Sequence, residues 1–353
     1  MSGADPRRVE ATLGGYQAVA TVYNALMTGL VLSLVTRRGA DVARDFVRAH
    51  FRRQHHEKFL PGLRKLGLDR EPHAVACALY HYHSNALGGV KTEYWRESDR
   101  KAWVRYPPPR WIWLGTAACA VPHEVNIAML HGWHGHNGVS LGNPRLGFVC
   151  TGTLTSGAPG LEGYYVEHDR ELAPEERVRF TDQERMPRID PAAQPALDVG
   201  AWPEERRRRT HRGYAMEYVR SLTPTLIGLI GRDAACAEIG RAARLIGMQF
   251  HDDMAAALGM VPGAGGAGGF AAFLAAMLAA QGESVSIDPT PDAARVAIGG
   301  WRLMDGVALD VAERGAAFTA WNELWVGAAS AHDRFLRLEV ARDGSGGAVW
   351  TIG

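Results

Sequence analysis

Cysteine is scarce. The 353 residues carry four, Cys77, Cys119, Cys150 and Cys236. No two have CxxC spacing, which excludes a thiol redox or cysteine–zinc motif and a disulfide-stapled scaffold. An excess of one charge is lacking too. Lys+Arg number 39 and Asp+Glu 38, a net charge of +1, so the overall balance recommends neither nucleic acid nor an anionic membrane as a partner. Long apolar runs are few. The uncharged stretch Ala18–Val35 is long enough for a short membrane span. Thr21, Asn24, Thr28, Gly29 and Ser33 within it point instead to a buried or half-buried helix. No signal peptide is read ahead of it, because Asp5 and Glu10 stand among Arg7 and Arg8 and no small-residue cleavage site follows. The expectation is a cytoplasmic chain whose 46% hydrophobic content suffices for one or two cores.

What is present is a repeated plan. Ala40–Leu66 carries Val42, Phe46, Val47, Phe51 and Phe59 at helical spacing and stops at Gly67. Pro224–Leu258 reads as its helical counterpart, with the stop at Gly259. Each is followed by a hairpin pattern: GGVKTEYW and KAWVRY in the first half, GESVSID and ARVAIGGW in the second. Each half then ends with a helix, a loop and another hairpin. Gln54 falls opposite Gln249, and Arg145 opposite Arg334, with a slowly drifting offset that suggests one duplication. The fold class expected is α+β, in two similar halves, each with long helices packed on a small antiparallel sheet, as a pseudo-dimer. Residues 1–172 form the first half, 173–212 a linker or strap, and 213–353 a degenerate repeat serving as scaffold. The tract Gly263–Gly269 lacks the preceding strand and following Lys-Ser/Thr of a phosphate loop.

Histidine singles out the first half for chemistry. Residues 1–172 hold 11 of the 14, and the remainder of the chain keeps His211, His251 and His332. The densest group is HGWHGHNG at His131–Gly138. His131, His134 and His136 could bind a divalent metal such as Zn and leave a position open for water. The same rings could do metal-free acid–base work, or they could simply finish a polar helix end. YHYHSN at Tyr80–Asn85, read as a strand, puts His81 and His83 on one side, facing the same pocket or solvent. His55 and His56 are read as a polar helix surface. Arg110 in YPPPRW and Arg145 in GNPRLG are held near turns and suit a substrate carboxylate, or a surface ion pair. Trp95, Trp103, Trp111, Trp113 and Trp133 read mostly as core, with Trp133 a candidate pocket wall. Asn137 could orient substrate or stabilise an oxyanion. Cys119, four residues before His123, is a thiol candidate or an inert side chain.

The stretches GVKTEYWRESDRKAWVRY and GNPRLGFVCTGTLTSGAPGLEGYY resemble the L-2-amino-thiazoline-4-carboxylic acid hydrolase-like family. More remotely they resemble vinyl-reductase-type small-molecule-binding domains. The resemblance implies a hydrolase that opens or cleaves a C–N bond of a small, cyclic carboxylic acid. On that reading His134, His136, His81 and His83 are catalytic. Asn137, Arg145, Arg110 and Trp133 bind a small-molecule carboxylate substrate. A non-catalytic small-molecule-binding or sensor protein, and a lyase or isomerase, stay open as alternatives, as does a homo-oligomer.

Overall fold

The structure is a computed structural model and describes residues 7–109, 112–196, 198–289, 294–342 and 346–353. In chain order the elements are β1 (Arg7–Val9), α1 (Leu13–Arg38), α2 (Ala40–Lys65), α3 (His73–Leu87), β2 (Glu93–Ser98), β3 (Lys101–Tyr106), α4 (His123–Gly132) and α5 (Asn137–Ser140). Then follow β4 (Leu146–Gly152), β5 (Leu161–Glu167), β6 (Val178–Phe180), α6 (Glu204–Ile230), α7 (Arg232–Ala257) and α8 (Gly266–Gln281). The chain closes with β7 (Val285–Pro289), β8 (Ala294–Ile298), α9 (Val311–His332), β9 (Leu338–Arg342) and β10 (Ala348–Ile352). The class is α+β. Three long helices lead to a hairpin, a further helix and a second hairpin, and this order occurs twice.

Two compact units divide the chain: a central one, Val31–Pro203, and a terminal one made of Met1–Leu30 with Glu204–Gly353. The central unit contains a five-stranded sheet in the order β2-β3-β5-β4-β6. Its pairs are antiparallel except β4 with β6. Side chains alternate across it. On one face Trp103, Val149 and Tyr164 pack with Met186, under the segment that follows β6. Tyr165 points to the other face, where it meets the His81 ring of α3. Helix α2 buries Phe46, Val47, Phe51 and Phe59. It lies close against α4, because a Cβ at Gly132 would stand 2.4 Å from the Arg48 carbonyl oxygen.

The terminal unit has the sheet order β1-β7-β8-β10-β9, antiparallel throughout. Val19, Val22, Tyr23, Leu26 and Leu30 of α1 are buried. The Tyr23 hydroxyl donates to Gln281 Oε1 at 2.8 Å and accepts from Trp321 Nε1 at 2.9 Å. Among the described residues α1 is the one helix long and apolar enough to cross a membrane, and most of its apolar window is covered by protein. That agrees with the helix expected over Ala18–Val35.

Three readings of the sequence differ from the structure. The single helix expected over Pro224–Leu258 is two, because Gly231 adopts φ 82° between α6 and α7. Glu204–Arg212, placed in the linker, forms the first turns of α6, where Arg208 pairs with Glu204 at 2.7 Å. Its residues are largely exposed, so it shows no apolar period. The Tyr80–Asn85 segment is helical within α3 rather than a strand.

Candidate functional site: an imidazole cluster with an arginine rim

The His131–Gly138 motif folds as the end of α4, a 3-10 turn over His134–His136, and the start of α5. Its glycines make this compact path feasible. Gly132 meets the backbone of α2, Gly135 meets Val178 of β6, and Gly138 meets the carbonyl oxygens of Leu146 and Asn143. A side chain at any of the three would collide, so the motif is fixed against three elements at once.

Around this turn the central unit collects rings from distant segments. His81 of α3 lies parallel to His134, with centroids 4.4 Å apart and planes 4° apart. Tyr165 stacks alongside at 5.8 Å from His134, and Phe148 lies 4.5 Å from it. Trp133 stands edge-on to His55 at 5.5 Å and to His81 at 6.0 Å. His136 lies 6.1 Å from His55. Asn137, fully buried, donates from Nδ2 to the Tyr165 hydroxyl at 2.9 Å. His81 Nε2 and Trp133 Nε1 are buried without a hydrogen-bond partner among the described residues. Leaving such atoms unmatched costs about 1–3 kcal/mol each, and a buried polar site of this kind calls for water or a ligand.

His55, His81 and His136 are held in the neutral form at pH 7. Burial pushes His81 down to about 3. It also lowers His55 to about 3, with Arg52, His136 and His81 acting in the same direction. His136 is lowered to about 4, first by burial and then by Arg52, Arg177 and Arg48. Burial raises the Cys77 thiol and the Tyr165 phenol. Arg52 Nη1 lies 2.9 Å from His55 Nδ1. An arginine can only donate, so Nδ1 accepts and the ring proton sits on Nε2. Among the described residues Arg48, Arg52 and Arg177 have no carboxylate partner. The half-buried His136 therefore sits at an uncompensated cationic rim.

The sequence candidates separate accordingly. His81, His134, His136, Asn137 and Trp133 do come together. His83 does not join His81. Two positions on a helix are about 200° apart, and the His83 ring meets Tyr82 edge-on at 5.4 Å. Arg145 is engaged by Glu167, Nη2 to Oε1 at 2.6 Å. Arg110 lies outside the described residues. Asn137 bonds Tyr165 through Nδ2, while its buried Oδ1 has no hydrogen-bond partner among the described residues. His123 pairs with Thr155 at 2.9 Å, and Cys119 is exposed. The three metal candidates face different neighbours: His131 lies beside Phe180 at 6.1 Å, His134 beside His81, and His136 beside His55. Among the described residues no three His, Cys, Asp or Glu side chains are arranged to hold a metal ion.

Sequence reasoning missed His55, Cys77, Tyr165, Arg52 and Arg177. His55 was legible: Val47, Phe51, His55 and Phe59 form a stripe at i, i+4, and His55 is buried like the others. The arginines gave no such signal, because only the fold shows that among the described residues they form no ion pair: Glu176, next to Arg177 in the chain, pairs with Arg170 and Arg179. Comparison of the chain with protein-family models, curated proteins and solved structures finds no match.

Proposed function

We propose that the central unit takes a small carboxylic acid at the His136 rim and hydrolyses a C–N bond of it. The carrying observation is the set Arg48, Arg52 and Arg177, without carboxylate partners among the described residues, around His136. Arg52 and Arg177 are the substrate anchors, since a guanidinium fork matches a carboxylate. An anion there has a second effect. Burial first, and then the same arginines, oppose a charge on His136, so an anion that neutralises them removes the second contribution and raises its pKa. In the reaction water gives its hydroxyl to the carbon, and its proton passes by way of His136 to the departing nitrogen. His55, His81 and His134 hold the ring row behind it, and Asn137 and Tyr165 brace that row. The resemblance to the thiazoline-carboxylate hydrolase-like family supports the same bond type. A cytoplasmic setting is part of this reading.

A second reading is a binding module without turnover. It is favoured by the face-to-face packing of His81 on His134, which makes those rings part of a core. The two readings separate in one assay, with 2-aminothiazoline-4-carboxylate as probe and ring opening followed by chromatography. Hydrolysis predicts product, a loss of roughly a hundredfold or more in kcat for His136→Asn, and a raised KM for Arg52→Gln and Arg177→Gln. Saturable binding with no product over long incubation leaves the binding module. Unchanged kcat in His136→Asn removes His136 from the chemistry.

A further inference from the structure

The central unit has a cavity of about 470 Å³ that the His136 rim does not use. It opens beside the β4–β5 connection, where the pairing shifts between Cys150 and Gly152. Gly160, with φ 151°, passes so close to β3 that a Cβ would stand 2.3 Å from the Tyr106 carbonyl oxygen. The Thr153 and Ser156 side chains cap the short turn between them reciprocally. A pre-formed wall results. Along β5, Glu162 alternates with Tyr165 by an odd number of residues, so the cavity and the imidazole cluster lie on opposite faces of the sheet.

The chemistry of the lining is specific. Its floor is an ion pair, Arg105 Nε to Glu162 Oε2 at 2.6 Å. Arg105 is fully engaged, through Nη1 with Glu93 at 2.9 Å and Nη2 with the Met186 carbonyl at 2.7 Å. Glu162 is engaged too, by the Thr151 hydroxyl at 3.0 Å and the Met186 amide at 2.9 Å. Arg185 differs. Its Nη1 donates to the carbonyls of Thr151 and Glu184, and among the described residues it has no carboxylate partner. Arg105 is met by Glu93 and Glu162 together, which leaves Arg185 as the lining guanidinium with no carboxylate partner among the described residues. Pro107, Pro108 and Pro159 offer apolar walls without a backbone donor. The volume lies at the small end of ligand sites, roughly 300–1,000 Å³.

We infer that this cavity is a separate binding site for a small cyclic monocarboxylate, its ring against the prolines and its carboxylate on Arg185. The site does not depend on the hydrolase reading, since none of its residues belongs to the His136 rim.

Calorimetry with sodium benzoate, and benzamide as the neutral isostere, tests it in the Arg52→Gln/Arg177→Gln background, where the rim is disabled. Saturable benzoate binding is expected there. Benzamide, and benzoate on adding Arg185→Gln, should bind roughly tenfold or more weakly, and Arg185→Lys should restore part of the loss. Arg185 is exposed, so the variants should keep the wild-type thermal midpoint. The inference is overturned if benzoate does not bind in that background, if benzamide binds equally well, or if Arg185→Gln binds like its parent. Benzoate binding abolished by Arg52→Gln/Arg177→Gln alone leaves the rim standing and removes this site.

Discussion

His81 and His134 lie face to face, 4.4 Å between ring centroids and 4° from parallel, although 53 positions apart in the chain numbering. Neither ring could be stacked this way while both were charged. Burial holds His81 uncharged at neutral pH, and this makes the protein sensitive to acid.

The first prediction concerns that sensitivity. Free imidazole titrates near 6.5, and His81 in the fold near 3. Between those values the unfolded chain holds a proton that the folded one refuses. The stabilisation is present above pH 6.5 and is lost as pH falls toward 3. The slope is about 1.4 kcal/mol per pH unit for each such histidine. His50 and His55, each near 3, add to it. Urea midpoints should drop from pH 7 to pH 5, and His81→Leu should show a shallower drop than wild type. An identical pH slope in that variant contradicts the assignment.

Glu283, in the terminal unit, works in the opposite direction. Burial pushes its carboxyl up to about 7, against the hydrogen bond that Oε1 accepts from the Arg302 amide at 2.7 Å. The folded state holds its proton longer than the unfolded one, so the stabilisation present below about 4.5 is lost as pH rises to 7. Glu283→Gln keeps an acceptor and removes the charge. It should raise the melting temperature at pH 8 and change it little at pH 4.5. An equal shift at both values would mean that ionisation is irrelevant there.

Helix α7 crosses α9 through two glycines. A Cβ at Gly247 would lie 2.0 Å from the Leu324 carbonyl oxygen, and one at Gly327 equally close to that of Arg244. Gly247→Ala and Gly327→Ala should each destabilise by about 1–3 kcal/mol or more, since helix backbones must part to admit the methyl. Gly228→Ala in α6 has nothing within 4 Å and should stabilise by about 0.5–1 kcal/mol. Thermal denaturation of the three variants provides the comparison, and the order of the midpoints is the test.

The arginine rim makes a spectroscopic prediction. Arg52 and Arg177 both hold His136 down. Arg52→Gln and Arg177→Gln should each raise the His136 pKa followed by proton NMR, and millimolar acetate should raise it in wild type. A His136 titration unmoved by all three changes would show that the cations do not act on this ring.

Much of the architecture was readable from residue pattern. The long helix from Ala40, the hairpins around KAWVRY and ARVAIGG, and the doubled order of elements follow from apolar spacing and glycine stops, which are local properties. The helical state of YHYHSN was not readable. Its alternation of aromatic and imidazole suits a strand, and only packing of Tyr80 and His81 against Trp133 settles it. The first turns of α6 were hidden for the converse reason, since an exposed helix needs no apolar stripe.

The sequence by itself determined which half would be rich in imidazole and that the chain would fold as α+β. These depend on composition and on neighbours a few residues away. The tertiary structure decided which histidines meet, that burial keeps His55, His81 and His136 neutral, and which arginines form no ion pair among the described residues. Those outcomes depend on distances between segments far apart in the chain and on the removal of water around them, and no local pattern encodes either.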